Sequence, residues 1–404
     1  MRRNLFIILL LILIFSVIIL QSSDIRAEER QNSLALTNGT IIDGNGGPPL
    51  TDGVVVFENG MITAVGTQEK VVIPNGIPIV NLQGATVLPG FINAHVHDAY
   101  DEKKLEAWAY AGVTTVRDLA NNGPLHDIFA FRDRVLQNPK CARLVTAGPM
   151  VTVEDGYPVA FWGGEAIIVH SPEDAKKKVN ELIDAGADLV KIPLETGGIF
   201  GLGGINSWPT LSNEEIATIV QTAHQRHLRV SVHVTSSDQL KRALDAGVDD
   251  IAHLVTNEIR DKRVFERMVK QNVYWVTTLE LFSGMRAPST MWVIYQNIRQ
   301  FSEAGGKVVL GTDYAGARMR FELGMPMIEM EQMTNAGLSP MQIIVAATKN
   351  AAYVCNREKS LGTIEEGKLA DILIVDGDPL KDLHNLLKVK YVFRNGIMIR
   401  GNRS

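Results

Sequence analysis

His95 and His97 stand two residues apart in Phe91-Ile-Asn-Ala-His-Val-His97, a run whose composition predicts a β-strand. Side chains alternate on a strand, so both imidazoles leave one face and aim at a common point, forming half of a metal site. Partners of suitable chemistry recur in later apolar runs. Lys191 lies in Asp188-Leu-Val-Lys-Ile192, His233 in Arg229-Val-Ser-Val-His-Val234 and His253 in Asp250-Ile-Ala-His-Leu254, while Asp313 closes Val308-Val-Leu-Gly-Thr-Asp313. Histidine and carboxylate donors of this kind suit zinc or a similar divalent ion. The lysine is the odd member, because an ammonium repels cations. Burial beside apolar strands lowers a lysine pKa and exposes the free amine, which can add carbon dioxide and become an anionic carbamate able to bridge two metals.

The elements that must position these groups follow from periodicity. Apolar runs begin near Phe91, Val113, Leu144, Leu189, Arg229, Asp250, Tyr274 and Val308, separated by helical segments. Ser171-Pro-Glu-Asp174 and Ser212-Asn-Glu-Glu215 read as capping boxes that open helices, and glycines 112, 186, 247 and 305 close helices before strands. Eight strand–helix units over about 260 residues predict an α/β fold, a (β/α)8 TIM barrel, whose chemistry sits at the C-terminal strand ends. No Gly-x-Gly-x-x-Gly loop follows the first strand, which disfavours a doubly wound dinucleotide fold. In Arg229–Val234, Val230, Val232 and Val234 share the face suited to outer helices, leaving Ser231 and His233 toward the axis.

Both flanks are different. Residues 33–88 alternate short β-like runs with turn residues, and Asn59-Gly60 between Val54–Phe57 and Ile62–Val65 predicts a hairpin. Residues 359–404 repeat the pattern, with Asp371–Val375 and Tyr391–Phe393 as strands and Asn395-Gly396 as a turn. Neither flank can bury a core alone, so both ends are expected to form one small β-sandwich domain around a barrel spanning 89–358.

Composition limits the function classes. The 404 residues are 46% hydrophobic and 21% charged, with a net charge of -5, which gives a globular chain with a sizeable core and no case for nucleic acid. Cys141 and Cys355 form no Cys-x-x-Cys pattern and read as small core residues. Arg2 and Arg3 precede an apolar run from Leu5 to Leu20 and then a polar stretch, the order of a signal peptide. Residues 1–27 are therefore expected to direct export to a periplasmic, extracellular or envelope location, with retention as a membrane anchor as the second outcome. The partner is a small-molecule substrate, and a homo-oligomer is compatible with the sequence.

Pro89-Gly-Phe-Ile-Asn-Ala-His-Val-His97, Gly311-Thr-Asp313 and Leu361-Gly-Thr-Ile-Glu-Glu-Gly-Lys-Leu-Ala-Asp-Ile372 together resemble the motifs of the amidohydrolase superfamily. Gly186-Ala-Asp-Leu-Val-Lys-Ile192 is similar to its carboxylated-lysine branch, which includes prolidase-like and Xaa-dipeptidase-like enzymes; the branch that includes imidazolonepropionase lacks this lysine. The resemblance implies that His95, His97 and Asp313 hold a more buried metal and His233 and His253 a more exposed one. Lys191 carboxylated by carbon dioxide would bridge two divalent ions, zinc by expectation, together with a hydroxide. Asp313 would take the hydroxide's proton and pass it to the leaving amine. The implied activity is hydrolysis of an amide-like C–N bond in a dipeptide, N-acyl amino acid or cyclic amide. The alternatives are a mononuclear deaminase or ring or lactone hydrolase with unmodified Lys191, and a catalytically inactive binding protein on the same barrel. The chain departs from its prolidase-like relatives in having Glu154-Asp-Gly-Tyr-Pro158 where many carry Gly-Gly-His-Gly, and Ala252-His253-Leu254 where Glu-His-Gly is common.

Blander readings stand beside these. Lys191 could pair with Glu195, and Asp313 could cap the next helix. Arg117 and Asp118 either touch substrate or form an internal ion pair, and Tyr157 is a candidate substrate contact. Arg318 and Arg320 could clamp a carboxylate, though solvated loop charges are the expectation. His126, His170, His224, His227 and His384 read as structural, and Gly367, Lys368 and Asp371 as turn chemistry.

Overall fold

The computed structural model describes residues 32–163, 165–198, 208–315 and 321–401, so residues 1–27, read above as an expected signal peptide, and both Arg318 and Arg320 lie outside the described residues. Among the described residues no helix is long and apolar enough to cross a membrane.

Strands Leu34–Ile41, Leu50–Glu58, Met61–Thr67, Ile79–Asn81 and Thr86–Pro89 join Ile372–Val375, Val389–Arg394 and Ile397–Arg400 in one eight-stranded sheet. Thr86–Pro89 is the junction, antiparallel to Ile372–Val375 on one side and parallel to Leu34–Ile41 on the other. The two chain ends therefore do combine, but by hydrogen bonding as a single continuous sheet rather than as two sheets of a sandwich. Asn59 and Asn395, with φ of 52° and 49°, each precede a glycine of positive φ, giving the tight turns that the Asn-Gly pairs predict. Leu36, Val55, Phe57, Ile372 and Phe393 pack on one face, and Val71, Ile73 and Ile77 cover Ala35, Val54 and Val56 on the other.

Inside this frame, Phe91–Val96, Val113–Asp118 and Arg143–Thr146 form a three-stranded parallel sheet. Val190–Pro193, Val230–His233, Asp250–Ala252, Tyr274–Val276 and Val308–Val309 form a five-stranded parallel sheet. The last strand meets the first through Ala94 N to Leu310 O (3.0 Å) and Thr312 N to His95 O (3.1 Å), and Val96 bridges to Tyr314. At the opposite seam Asp188 N donates to Thr146 O (3.0 Å).

Intervening helices have the predicted boundaries. Ser212 and Glu215 cap Asn213–Gln225 reciprocally, and Ser171 accepts from Asp174 N at the start of Pro172–Ala185. Gly186 and Gly247 end their helices at φ of 118° and 79°, a region costly for other residues. Ile216, Ile219, Val220 and Ala223 recur at helical spacing and are buried in the same hydrophobic core as Val230 and Val232. Each fully buried Ile or Val is worth about 1.5–3 kcal/mol. Ser231 points the other way and donates to Asp250 (2.7 Å), so the predicted parity of this strand holds.

Candidate active site

The first strand delivers His95 fully buried and His97 partly exposed, with their Nε2 atoms 3.3 Å apart. Asp313 closes the group: its Oδ1 lies 3.3 Å from His95 Nε2 and 3.0 Å from His97 Nε2. One ligand atom from each of these three residues falls within a 4.8 Å span, close enough to hold a single metal ion. His97 Nδ1 faces Ala120 O at 3.4 Å and Nε2 faces Asp313; burial pulls the His97 pKa down, but the bond to Asp313 and its charge raise it overall. Gly311 allows the approach, because a Cβ there would lie 2.6 Å from His95 Cβ and 2.7 Å from a Val276 methyl.

Asp313 and His253 both sit beyond the regular strands, which end at Val309 and Ala252, and not within them as the sequence suggests. Both take left-handed backbone conformations, φ 61° and 73°, a strain of about 1–3 kcal/mol each that local contacts must offset. Asp313 N donates to His95 O (2.9 Å), and the Trp275 indole donates to His253 O (2.7 Å). These turns bring the side chains back over the strand ends. His253 Nδ1 then lies 3.6 Å from Asp313 Oδ2 and 3.2 Å from the Thr278 hydroxyl. The His253 ring centroid is 4.6 Å from that of His95 and 4.2 Å from that of His233.

His233 is held from behind. Its Nε2 lies 3.3 Å from Glu195 Oε2, which also accepts from the Thr235 hydroxyl (2.6 Å), while Glu195 Oε1 accepts from Gly197 N (2.7 Å). A proton on Nε2 leaves Nδ1 as the acceptor, and that buried atom has no hydrogen-bond partner. Burial would raise the Glu195 carboxyl, but the His233 bond and charge outweigh it and hold it down at about 2. Burial also lowers the His95, His233 and His253 pKa values, in the case of His233 against the bond and charge of Glu195.

Lys191 is fully buried and its Nζ has no hydrogen-bond partner. Burial pulls its pKa down to about 7; Asp250 opposes that and Arg117 reinforces it. A substantial neutral-amine fraction therefore exists at neutral pH. Arg117 and Asp250 form a buried fork, with bonds of 2.9 and 3.0 Å, and Arg117 also donates to Ala94 O and Val354 O.

Several expectations change. Glu195 bonds His233, which lies on the strand paired with Val190–Pro193, and not Lys191, whose Nζ has no hydrogen-bond partner. Of the two readings of Arg117, the structure shows the internal ion pair, fully buried with Asp250. Asp118 is buried, accepts from Ala99 N and Ala120 N, and is raised by burial to about 7. Asp371 is more than a turn residue: it is buried and accepts from Arg143 (2.8 Å), tying strand Arg143–Thr146 to the eight-stranded sheet. His224 pairs with Asp249 on the outside, as a structural histidine would. Tyr157 does reach the site, its ring centroid 5.0 Å from that of His233.

An α/β fold with histidines and an aspartate gathered at strand ends defines a class of metal-dependent hydrolases, and comparison with known proteins specifies it. The amidohydrolase family model matches residues 86–399, and the chain belongs to that family. Ochratoxinase of Aspergillus niger is 24% identical over 90% of this chain and 86% of its own. Its solved structure superposes with a TM-score of 0.77 at 20% identity, covering 92% of this chain and 96% of that one. Imidazolonepropionase of Symbiobacterium thermophilum is 24% identical, covering 80% of this chain and 83% of its own. A solved Xaa-Pro dipeptidase matches with a TM-score of 0.75 and 24% identity, over 91% of this chain and 100% of that one. The chain is an enzyme, a hydrolase acting on carbon–nitrogen bonds.

Proposed function

We propose that this protein hydrolyses an amide-like C–N bond of a small substrate at a two-metal centre built from His95, His97, Lys191, His233, His253 and Asp313. The observation that carries the reading is the His95–His97–Asp313 group together with buried polar atoms, within electrostatic reach of it, that the chain leaves without a hydrogen-bond partner. The His95–His97–Asp313 group, the unpartnered His233 Nδ1 and the unpartnered Lys191 Nζ are costly to bury unless something binds them. The donor set fits divalent ions such as zinc, and a carbamate on Lys191 would supply the anion that a bare amine lacks. His95, His97 and Asp313 would hold one ion, His233 and His253 the other, and Lys191 would join them. When bound, such a pair polarises the scissile carbonyl and makes water a stronger nucleophile.

The chain's own groups supply the rest. Asp313 Oδ1 is committed to His95 and His97, while Oδ2, near His253, is oriented to accept the attacking water's proton and return it to the leaving amine. Thr278 fixes the His253 ring and Glu195 fixes that of His233, so neither imidazole needs to reorganise. The reading treats residues 89–358 as a closed (β/α)8 barrel, supported by the hydrogen bonds at both seams, with 33–88 and 359–404 as its β-domain. Export, with or without retention on residues 1–27, rests on the amino-terminal sequence pattern.

The test is turnover of dipeptides, N-acyl amino acids and cyclic amides by zinc-loaded protein, followed by amine release. Hydrolysis lost in Asp313→Asn supports the reading. Ammonia release from a ring amine, unaffected by Lys191→Ala, would favour the mononuclear deaminase; no turnover of any of these would reject the amidase assignment.

A further inference from the structure

Thr278 opens the short helix Leu279–Met285 after strand Tyr274–Val276, yet its buried hydroxyl makes no cap bond to that helix. Serines in the same place elsewhere do cap: Ser171, Ser212, Ser236 and Ser339 each accept from a backbone N–H of their own helix. The Thr278 hydroxyl lies instead 3.2 Å from His253 Nδ1. The start of its helix is served from a remote segment. Glu329, fully buried on helix Met327–Asn335, accepts from the Thr277 hydroxyl (2.5 Å) and Leu279 N (3.0 Å) with Oε1 and from Glu280 N (2.6 Å) with Oε2.

The first N–H groups of a helix have no partner within it, and a threonine at the cap ordinarily accepts from the second or third of them. Glu280 N is such a group, and it goes to Glu329. Had Thr278 taken it, less would fall to a buried acid. Glu329 serves the helix against a burial penalty that pushes its carboxyl up to about 7, a rise that the three bonds oppose. The more demanding arrangement has one consequence the simpler one lacks. It releases the Thr278 hydroxyl from its own helix, and that hydroxyl meets His253.

We propose that Glu329 is a positioning residue for the metal centre: by serving the start of helix Leu279–Met285 it directs the Thr278 hydroxyl to His253. The inference rests on the reading of His253 as a metal ligand, and its test does not need turnover. Glu329→Gln keeps the shape but only one oxygen, so its NH2 must oppose the N–H of either Leu279 or Glu280. The Thr278 hydroxyl is the acceptor a helix start ordinarily uses, and turning to that N–H abandons His253. Zinc affinity is measured by chelator competition, with thermal denaturation as the check on folding. The more weakly held ion should lose roughly 10- to 100-fold in Thr278→Val, the usual size for a removed orienting partner, and little in Thr278→Ser, which keeps the hydroxyl. Glu329→Gln should lose affinity to a similar extent. The double variant Glu329→Gln/Thr278→Val should lose no more than Thr278→Val alone, because Glu329 acts through that hydroxyl, whereas a merely structural role would add its loss independently. Glu329→Asp, which withdraws the carboxylate by one methylene, goes through the same cycle if the glutamine variant fails to fold. Losses that add in the double variant overturn the proposal. So does wild-type affinity in both Glu329 variants when His253→Ala loses zinc, a result that leaves His253 as a ligand. Wild-type zinc affinity in His253→Ala would reject the ligand reading itself, and the proposal with it.

Discussion

Glu195→Gln isolates the least conspicuous part of the site. The carboxylate accepts three bonds, from His233 Nε2, the Thr235 hydroxyl and Gly197 N, at 3.3, 2.6 and 2.7 Å. Glutamine has the same shape but only one oxygen. If that oxygen stays with Gly197, the amide NH2 faces His233 Nε2 and drives the ring proton to Nδ1, the atom left free for a metal. If the oxygen turns to His233, the NH2 faces the Gly197 N–H, and two buried donors oppose each other at a cost of about 1–3 kcal/mol. Either arrangement penalises the productive state by a similar amount, a range that brackets the roughly 10- to 100-fold loss usual for a removed metal-orienting partner. The assay is zinc affinity by chelator competition alongside kcat/KM, with thermal denaturation as a control for folding. The more weakly held ion should lose affinity in that range while the tighter one changes little. Affinity and kcat/KM within twofold of wild type, in a folded variant, would refute the argument that Glu195 sets the His233 tautomer.

Other expected outcomes follow from the same geometry. Arg117→Met leaves Asp250 charged and buried with only Ser231 to satisfy it, and should cost about 3–5 kcal/mol in chemical denaturation; an unchanged midpoint would show that the pair is dispensable. Gly311→Ala forces a Cβ to 2.6 Å from His95 and should cost about 1–3 kcal/mol and weaken metal binding, with wild-type zinc affinity as the contrary result. Burial raises the Glu280 carboxyl from 4.5 to about 8, with Glu329 and Glu322 adding to the rise. Its folded state therefore holds a proton that the unfolded state releases, and the associated stability is complete below pH 4.5 and lost as pH climbs through 8. Denaturation at pH 5 and pH 9 should show wild-type stability falling, and Glu280→Gln should flatten that fall; parallel curves would contradict it.

Local chemistry made much of this molecule legible. Period-two spacing aimed His95 with His97 and Ser231 with His233, and the Asn-Gly pairs and helix-capping serines marked boundaries that need no distant partner. The hidden features are those created by contacts between remote segments. Arg117 and Asp250 are 133 residues apart, and Arg143 and Asp371 are 228 apart, so nothing local distinguishes an internal fork from a substrate clamp or a turn. Glu195 had a usable signal: it follows Lys191 and Pro193 at the same parity, which directs it to the site. Trp208 and Phe161 carried none, because ring proximity depends on where a short helix and a remote segment meet. The left-handed turns at His253 and Asp313 were also invisible, since neither residue type demands positive φ.

The central claim is that two divalent ions share one site through Lys191. Metal content per chain of the purified protein, expressed with zinc and bicarbonate and measured by elemental analysis, tests it most directly. The account predicts about two ions per chain, falling toward one in Lys191→Ala. A single ion that this substitution leaves unchanged, or no bound metal at all, would contradict it.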